Sequence, residues 1–147
     1  MICVDASVAV KWILDEERSD QARALFRAAE RVDSAIVAPP LLFFEVTNVL
    51  RQRTRPKDGL SLAAATALLD RFLALPIVVF YPEDSHRRAL ALSHALNLPA
   101  AHDAHCLTLA EHLGCEFWTD DERLWRKAED AGVSFVRRLS DAPLPEG

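Results

Sequence analysis

Residues 1–14 read MICVDASVAVKWIL, and their sense decides what the rest of the chain can be. A β-branched apolar run, Ile2-Cys3-Val4, stops at Asp5, and a second apolar run carries on beyond Ser7. A strand over Ile2–Asp5 followed by a helix accounts for both runs, with Asp5 and Ser7 suited to the helix start. Further along, short β-branched or aromatic runs recur at Ala35–Ala38, Ile77–Tyr81, Glu116–Thr119 and Ser134–Val136. Between them lie segments of helical period. Leu62, Ala65, Leu69, Phe72 and Leu73 make one stripe, Ala89, Leu92 and Leu96 another, and Leu124, Ala128 and Ala131 a third. The third stops at Gly132, and Thr119 and Glu122 have capping-box spacing at its start. Strand and helix in alternation imply a mainly parallel sheet covered on both faces. The helix holding Leu41, Leu42, Phe43 and Phe44 is apolar around most of its girth, which gives it a second use as a homodimer face.

The 147 residues suffice for one domain, expected over residues 1–139, with a loose tail over 140–147 containing Pro143 and Pro145. Half the residues are apolar and 27% charged, which excludes a disordered or collagen-like chain. No apolar run reaches the length of a membrane span, and the start lacks a basic segment ahead of its apolar stretch. Three cysteines without CxxC spacing fit buried thiols in a reducing compartment, so a cytoplasmic protein is expected. The net charge of −5 opposes a surface that binds nucleic acid all over.

Ligands of open parallel sheets bind beyond the carboxyl ends of the strands. Asp5 and Asp121 fall there, and if their strands are neighbours both carboxylates emerge at one rim. Two further acids lie on otherwise apolar helix faces. Glu45 sits within PPLLFFEVTNVLR (residues 39–51), with Asn48 one turn on, and Asp103 sits in the first turn of AAHDAHCLTLAEH (100–112). A carboxylate on a buried face is costly unless something pairs with it. Neither Asp5 nor Asp103 has a basic residue nearby in the local sequence. Hard divalent ions answer that need, because Mg²⁺ and Mn²⁺ prefer carboxylate oxygen. Each acid also has a structural reading: Asp5 and Asp120 or Asp121 as helix caps, Asp103 as a first-turn acid. Only Glu45, amid Leu, Phe and Val, resists one.

At these residues the chain resembles the PIN-domain family, and most closely its bacterial VapC toxin branch. ICVDASVAVKWIL is similar to the family's strand that ends in Asp and enters the first helix. PPLLFFEVTNVLR resembles its glutamate helix, HDAHCLTLAEHLG its D-A helix, and FWTDDERLWRKA its T-x-D element. The resemblance implies a three-layer α/β/α sandwich with sheet order 3-2-1-4-5. It implies that Asp5, Glu45, Asp103 and Asp121 form an acidic quartet that binds Mg²⁺ or Mn²⁺, with Ser7, Asn48 and Thr119 orienting them or the substrate. The activity implied is endoribonuclease, as the toxin of a type II toxin–antitoxin pair, with a cognate antitoxin as protein partner. A housekeeping nuclease and a catalytically silent interaction domain are the alternatives. Where the family often has Tyr before the third acid, this chain has His102, and the T-x-D spacing selects Asp121 over Asp120.

Arg51, Arg53 and Arg55 close the glutamate helix and offer either a solvated helix end or a rim that contacts RNA phosphates. His102, His105, Cys106 and His112 suggest zinc, but no i, i+4 histidine pair or HExxH is present, so surface or structural histidines are the expectation. Trp12, Trp118 and Trp125 are expected to fill core or interface before they stack bases. A covalent aspartyl phosphotransferase is disfavoured by Ser7, which stands where such enzymes carry a second Asp. With only four glycines there is no phosphate-cradling loop, and no Gly-x-Ser-x-Gly elbow occurs.

Overall fold

A computed structural model describes residues 1–143. Its five strands are β1 (Ile2–Val4), β2 (Ile36–Ala38), β3 (Ile77–Val79), β4 (Glu116–Thr119) and β5 (Val136–Arg138). They form one parallel sheet in the order β3-β2-β1-β4-β5. The helices are α1 (Ala6–Ile13), α2 (Ser19–Arg31), α3 (Leu41–Arg53), α4 (Leu62–Leu73), α5 (Ser85–Ala95), α6 (His102–Leu113) and α7 (Glu122–Asp130). None of them is long and apolar enough to cross a membrane.

The pleat sorts the core. Val4, Ile36, Ala38 and Trp118 belong to one buried cluster, together with Val8 and Trp12 of α1, Leu25 of α2, Leu42 and Val46 of α3 and Phe72 of α4. Cys3, Val37, Phe117 and Val136 belong to the other, with Ala89 and Leu92 of α5, Leu107 of α6 and Leu124 of α7. Successive strand residues thus supply opposite layers, as a period of two requires. In the inner strands β1 and β2 both faces are covered, so their residues are continuously apolar rather than alternating, whereas edge strand β3 leaves Val78 and Val79 exposed.

Several expectations need adjusting. β5 covers Val136–Arg138 rather than Ser134–Val136. Apolarity pointed to the earlier residues, but the strand continues through two arginines whose heads find partners at the edge. Arg137 reaches Glu116 at 3.4 Å, and the Arg138 guanidinium lies 3.9 Å from the Trp125 ring centre. On α4, Ala65 and Phe72 are buried against α3 and α1, while Leu62 is 76% exposed and Leu73 is exposed too, so the stripe is narrower than its sequence. Ala131 is the exposed C-cap of α7. The girth of α3 is covered from within: Leu42 is buried and Phe43 packs 5.3 Å from the Phe72 ring, leaving only Phe44 of that run fully outward. A 3-10 turn over Leu139–Asp141 and buried Ala142 carry packed structure into the expected tail, whose residues 144–147 lie outside the described chain.

Candidate active site

The β1–β4 pairing sets Val4 opposite Trp118, so the next residues, Asp5 and Thr119, meet at one rim of the sheet. Asp5 leaves the strand with extended backbone and caps α1, accepting the Val8 N–H at 3.4 Å. Its Oδ1 also accepts the Ser7 hydroxyl at 2.5 Å, and its Oδ2 accepts the Thr119 hydroxyl at 2.5 Å. Both hydroxyls reach onward. Ser7 Oγ accepts the backbone N–H of Asp120 at 2.8 Å, and Thr119 Oγ1 accepts that of Asp121 at 3.1 Å. The turn after β4 is thereby fastened to the end of β1 at two points.

The two adjacent aspartates part ways. Asp120 faces the α1–α2 corner, where Arg18 grips it with Nε at 2.7 Å and Nη2 at 3.0 Å and Lys11 lies 3.4 Å away. Its charge is spent on that corner. Asp121 is the N-cap of α7, accepting from Arg123 N–H at 3.0 Å and Leu124 N–H at 3.2 Å through Oδ1. The capping-box role expected of Thr119 falls to Asp121, because the Thr119 hydroxyl is committed to Asp5. Asp121 and Asp103 line a shared cavity of about 60 Å³.

Glu45 on α3 and Asp103 in the first turn of α6 are half-buried. Among the described residues neither accepts a hydrogen bond, and none of Asp5, Glu45, Asp103 and Asp121 is ion-paired. Burial lifts the Glu45 carboxyl to about 7, helped by the charges of Asp5 and Asp103. Burial likewise lifts Asp5 to about 6, against the Ser7 and Thr119 hydrogen bonds that favour its ionised form. Asp103 is also raised, by burial and then by Asp121, with His102 and Lys127 pulling the other way. The four acids therefore feel one another in sequence around the rim. No three of the described His, Cys, Asp and Glu side chains converge into a ready-made metal cage.

The donor set nonetheless suits a hard divalent cation. A carboxylate has about four acceptor sites. Asp5 uses three and Asp121 two, while Glu45 and Asp103 spend none on the described chain. Carboxylate oxygens that are in no ion pair among the described residues are what Mg²⁺ or Mn²⁺ would find there, with Arg123 and Lys127 at the edge of the Asp103–Asp121 cavity.

Other candidates lie further off. Asn48 is exposed and makes no hydrogen bond among the described residues, so it is not drawn to Glu45. Arg51 turns to the Thr54 hydroxyl and Arg53 to Glu16 at 3.1 Å, leaving Arg55 extended into solvent. The histidines do not assemble around a metal: His102 and His112 are exposed, and His105 Nδ1 is hydrogen-bonded to the Tyr81 hydroxyl. Trp12 and Trp118 are buried. The sequence reading missed Arg18 and Lys11 as partners of Asp120, since nothing in local spacing links positions so far apart. It also passed over Tyr81, although the strand-end rule that picked out Asp5 applies equally to the residues following β3.

Similarity to known proteins agrees with this fold. The crystal structure of PAE2754 from Pyrobaculum aerophilum superposes with a TM-score of 0.67 at 22% identity, covering 95% of this chain and 90% of that one, which establishes likeness of fold. A search of curated proteins finds no match. Residues 2–130 match the PIN domain, whose members are in general metal-dependent nucleases. On that match, which takes in all four acids and four of the five strands, the chain belongs to the PIN domain family.

Proposed function

We propose that this protein is a Mg²⁺- or Mn²⁺-dependent endoribonuclease acting as the toxin of a type II toxin–antitoxin pair in the cytoplasm. The observation that carries the reading is the set of four neighbouring carboxylates at one sheet rim, in a PIN-family chain, none of them ion-paired among the described residues, although Arg123 and Lys127 share the small cavity of Asp103 and Asp121. Asp5, Glu45, Asp103 and Asp121 would hold the cation. When bound, such an ion supplies Lewis acidity toward phosphate oxygens and eases deprotonation of water.

The chain's own residues do the rest. Ser7 and Thr119 fix the Asp5 carboxylate from both sides and leave one acceptor site on Oδ2. Through the Asp121 N–H, Thr119 also sets the start of α7 relative to β1. Glu45 and Asp103 keep oxygens unspent on the described chain, and exposed Arg51 and Arg55 would contact RNA phosphates. In-line displacement at phosphorus leaves 5′-phosphate and 3′-hydroxyl ends. A cognate antitoxin would occlude the acids. Of the α3 run expected to serve a homodimer only Phe44 is fully exposed, and Leu62, Leu73, Val78 and Val79 are among the other exposed apolar side chains a second copy would cover.

The test is incubation of the purified protein with total RNA, with and without Mg²⁺, followed by mapping of cut ends. Discrete metal-dependent cuts bearing 5′-phosphate support the reading. Intact RNA under every condition overturns it.

A further inference from the structure

Beside the acids lies a cavity of about 350 Å³ whose lining is chemically different from theirs. It is formed by Leu41 and Phe44 on the first turns of α3, Tyr81 and His86 after β3, and His102 and His105 at the start of α6. Among the described residues no carboxylate lines it, and its volume falls within the roughly 300–1,000 Å³ typical of small-ligand pockets.

Three of its rings form a mutual edge-to-face cluster. Tyr81 stands 4.9 Å from His86 at 74° and 5.4 Å from His105 at 72°, and the two histidines are 5.6 Å apart at 72°. The Tyr81 hydroxyl is bonded to His105 Nδ1. Burial raises the Tyr81 phenol to about 12, so it keeps its proton and donates to His105 Nδ1, which places that ring's own hydrogen on Nε2. The cluster thus combines flat apolar faces with an N–H donor. Phe44, at its mouth, is 72% exposed, although large aromatics normally gain by burial.

Three residues lining the cavity are close neighbours of the acids in the chain. Leu41 lies one turn before Glu45 on the same face of α3, Phe44 directly precedes Glu45, and His102 directly precedes Asp103. A polynucleotide with a phosphate at the acids brings a flanking base to this cavity. Unstacked bases of single-stranded RNA are recognised by aromatic faces and edge hydrogen bonds of this kind.

We propose that this cavity is a nucleobase subsite, holding one unpaired base of the RNA next to the scissile phosphate, with Phe44 and His86 as stacking surfaces and Tyr81–His105 as the polar wall. The subsite rests on the nuclease reading above and adds to it the recognition of one base beside the cut. It makes Phe44 a specificity-determining residue rather than a catalytic one.

The test uses Phe44→Ala and His86→Ala, both at exposed positions where truncation opens no core. Affinity is read by fluorescence anisotropy in an Asp5→Asn background. The probes are a labelled single-stranded oligoribonucleotide and a series of the same oligomer with one abasic ribose walked along it. Loss of a stacked base should weaken binding of the intact oligomer roughly tenfold. One abasic probe should bind as weakly to the unmodified cavity as to the Phe44→Ala variant. In the Asp5 protein, Phe44→Ala should flatten the nucleotide preference beside the cut. If RNA is cut but both variants keep full affinity and the same preference, the subsite alone falls. A changed oligomeric state of Phe44→Ala with unaltered RNA affinity assigns the face to a second copy and also overturns it. If the protein neither binds nor cuts RNA, the nuclease reading fails and takes the subsite with it.

Discussion

Thr119 and Asp5 share one hydrogen bond of 2.5 Å across the junction of the two central strands, and the same threonine oxygen receives the Asp121 N–H at 3.1 Å. Thr119 is fully buried, so this oxygen cannot exchange protein partners for water. Thr119→Val should cost about 1–3 kcal/mol of stability by stranding the Asp121 N–H and unfastening Asp5. RNA cleavage should drop with it. Thr119→Ser, which restores the oxygen, should recover most of both. Chemical denaturation alongside a cleavage assay checks this, and equal stability of the valine variant would contradict it.

Asp5→Asn separates charge from shape. RNA cleavage should disappear while the fold persists, because the amide keeps an acceptor for Ser7 or Thr119. Burial opposes the charge on Asp5, so without divalent cation the asparagine protein should melt no lower than the parent at neutral pH. Thermal melts in EDTA provide the check, and metal-dependent cleavage at the parental rate would refute the assignment.

The raised Glu45 and Asp5 carboxyls make stability depend on pH in a defined direction. Both bind a proton more tightly folded than unfolded, where they titrate near the ordinary values of about 4.3 and 3.9. Their contribution is therefore fully present below pH ~4 and is lost as pH rises through about 6 for Asp5 and about 7 for Glu45. In EDTA, Glu45→Gln should flatten the decline between pH ~4.5 and ~7 relative to the parent. Denaturation midpoints across that window test it, and parallel curves would dismiss the effect.

Divalent cation should reverse the same penalty. A cation held only by the folded state at a hundred times its dissociation constant adds about 2.7 kcal/mol. Mn²⁺ should raise the melting temperature of the parent, and Glu45→Gln or Asp103→Asn should shrink that rise. Asp120→Asn should leave the rise intact, because its carboxylate belongs to Arg18 and Lys11. It should instead lower stability by about 1–3 kcal/mol, since Lys11 is only 7% exposed and loses its nearer anion. Identical shifts in all four proteins would remove the carboxylates from the metal site.

Much of this was written locally. Ile2-Cys3-Val4 followed by Asp5 carries its own strand, its exit and its cap, and the position of Glu45 amid Leu, Phe and Val marks a charge that burial does not explain. What local sequence does not carry is pairing at a distance. Asp120 and Asp121 are chemically identical neighbours, and only Arg18, brought to one of them by the α1–α2 corner, distinguishes them. The bounds of β5 shifted for a related reason. Arg137 and Arg138 fit a strand only once Glu116 and Trp125 lie beside them. The cavity ringed by Tyr81, His86 and His105 draws on three separate elements, so no single window of sequence displays it.

Because all five strands run the same way, the acids and the aromatic cavity crowd one end of the sheet. The opposite end is made of the turns that enter the strands, at residues 32–35, 74–76, 114–115 and 131–135, together with Met1. Those turns are the natural address for fusions, labels and surface tethers. Lengthening them at their exposed residues keeps added chain away from the acids, whereas an insertion of the same size after Val4 or Thr119 lands in the acidic rim.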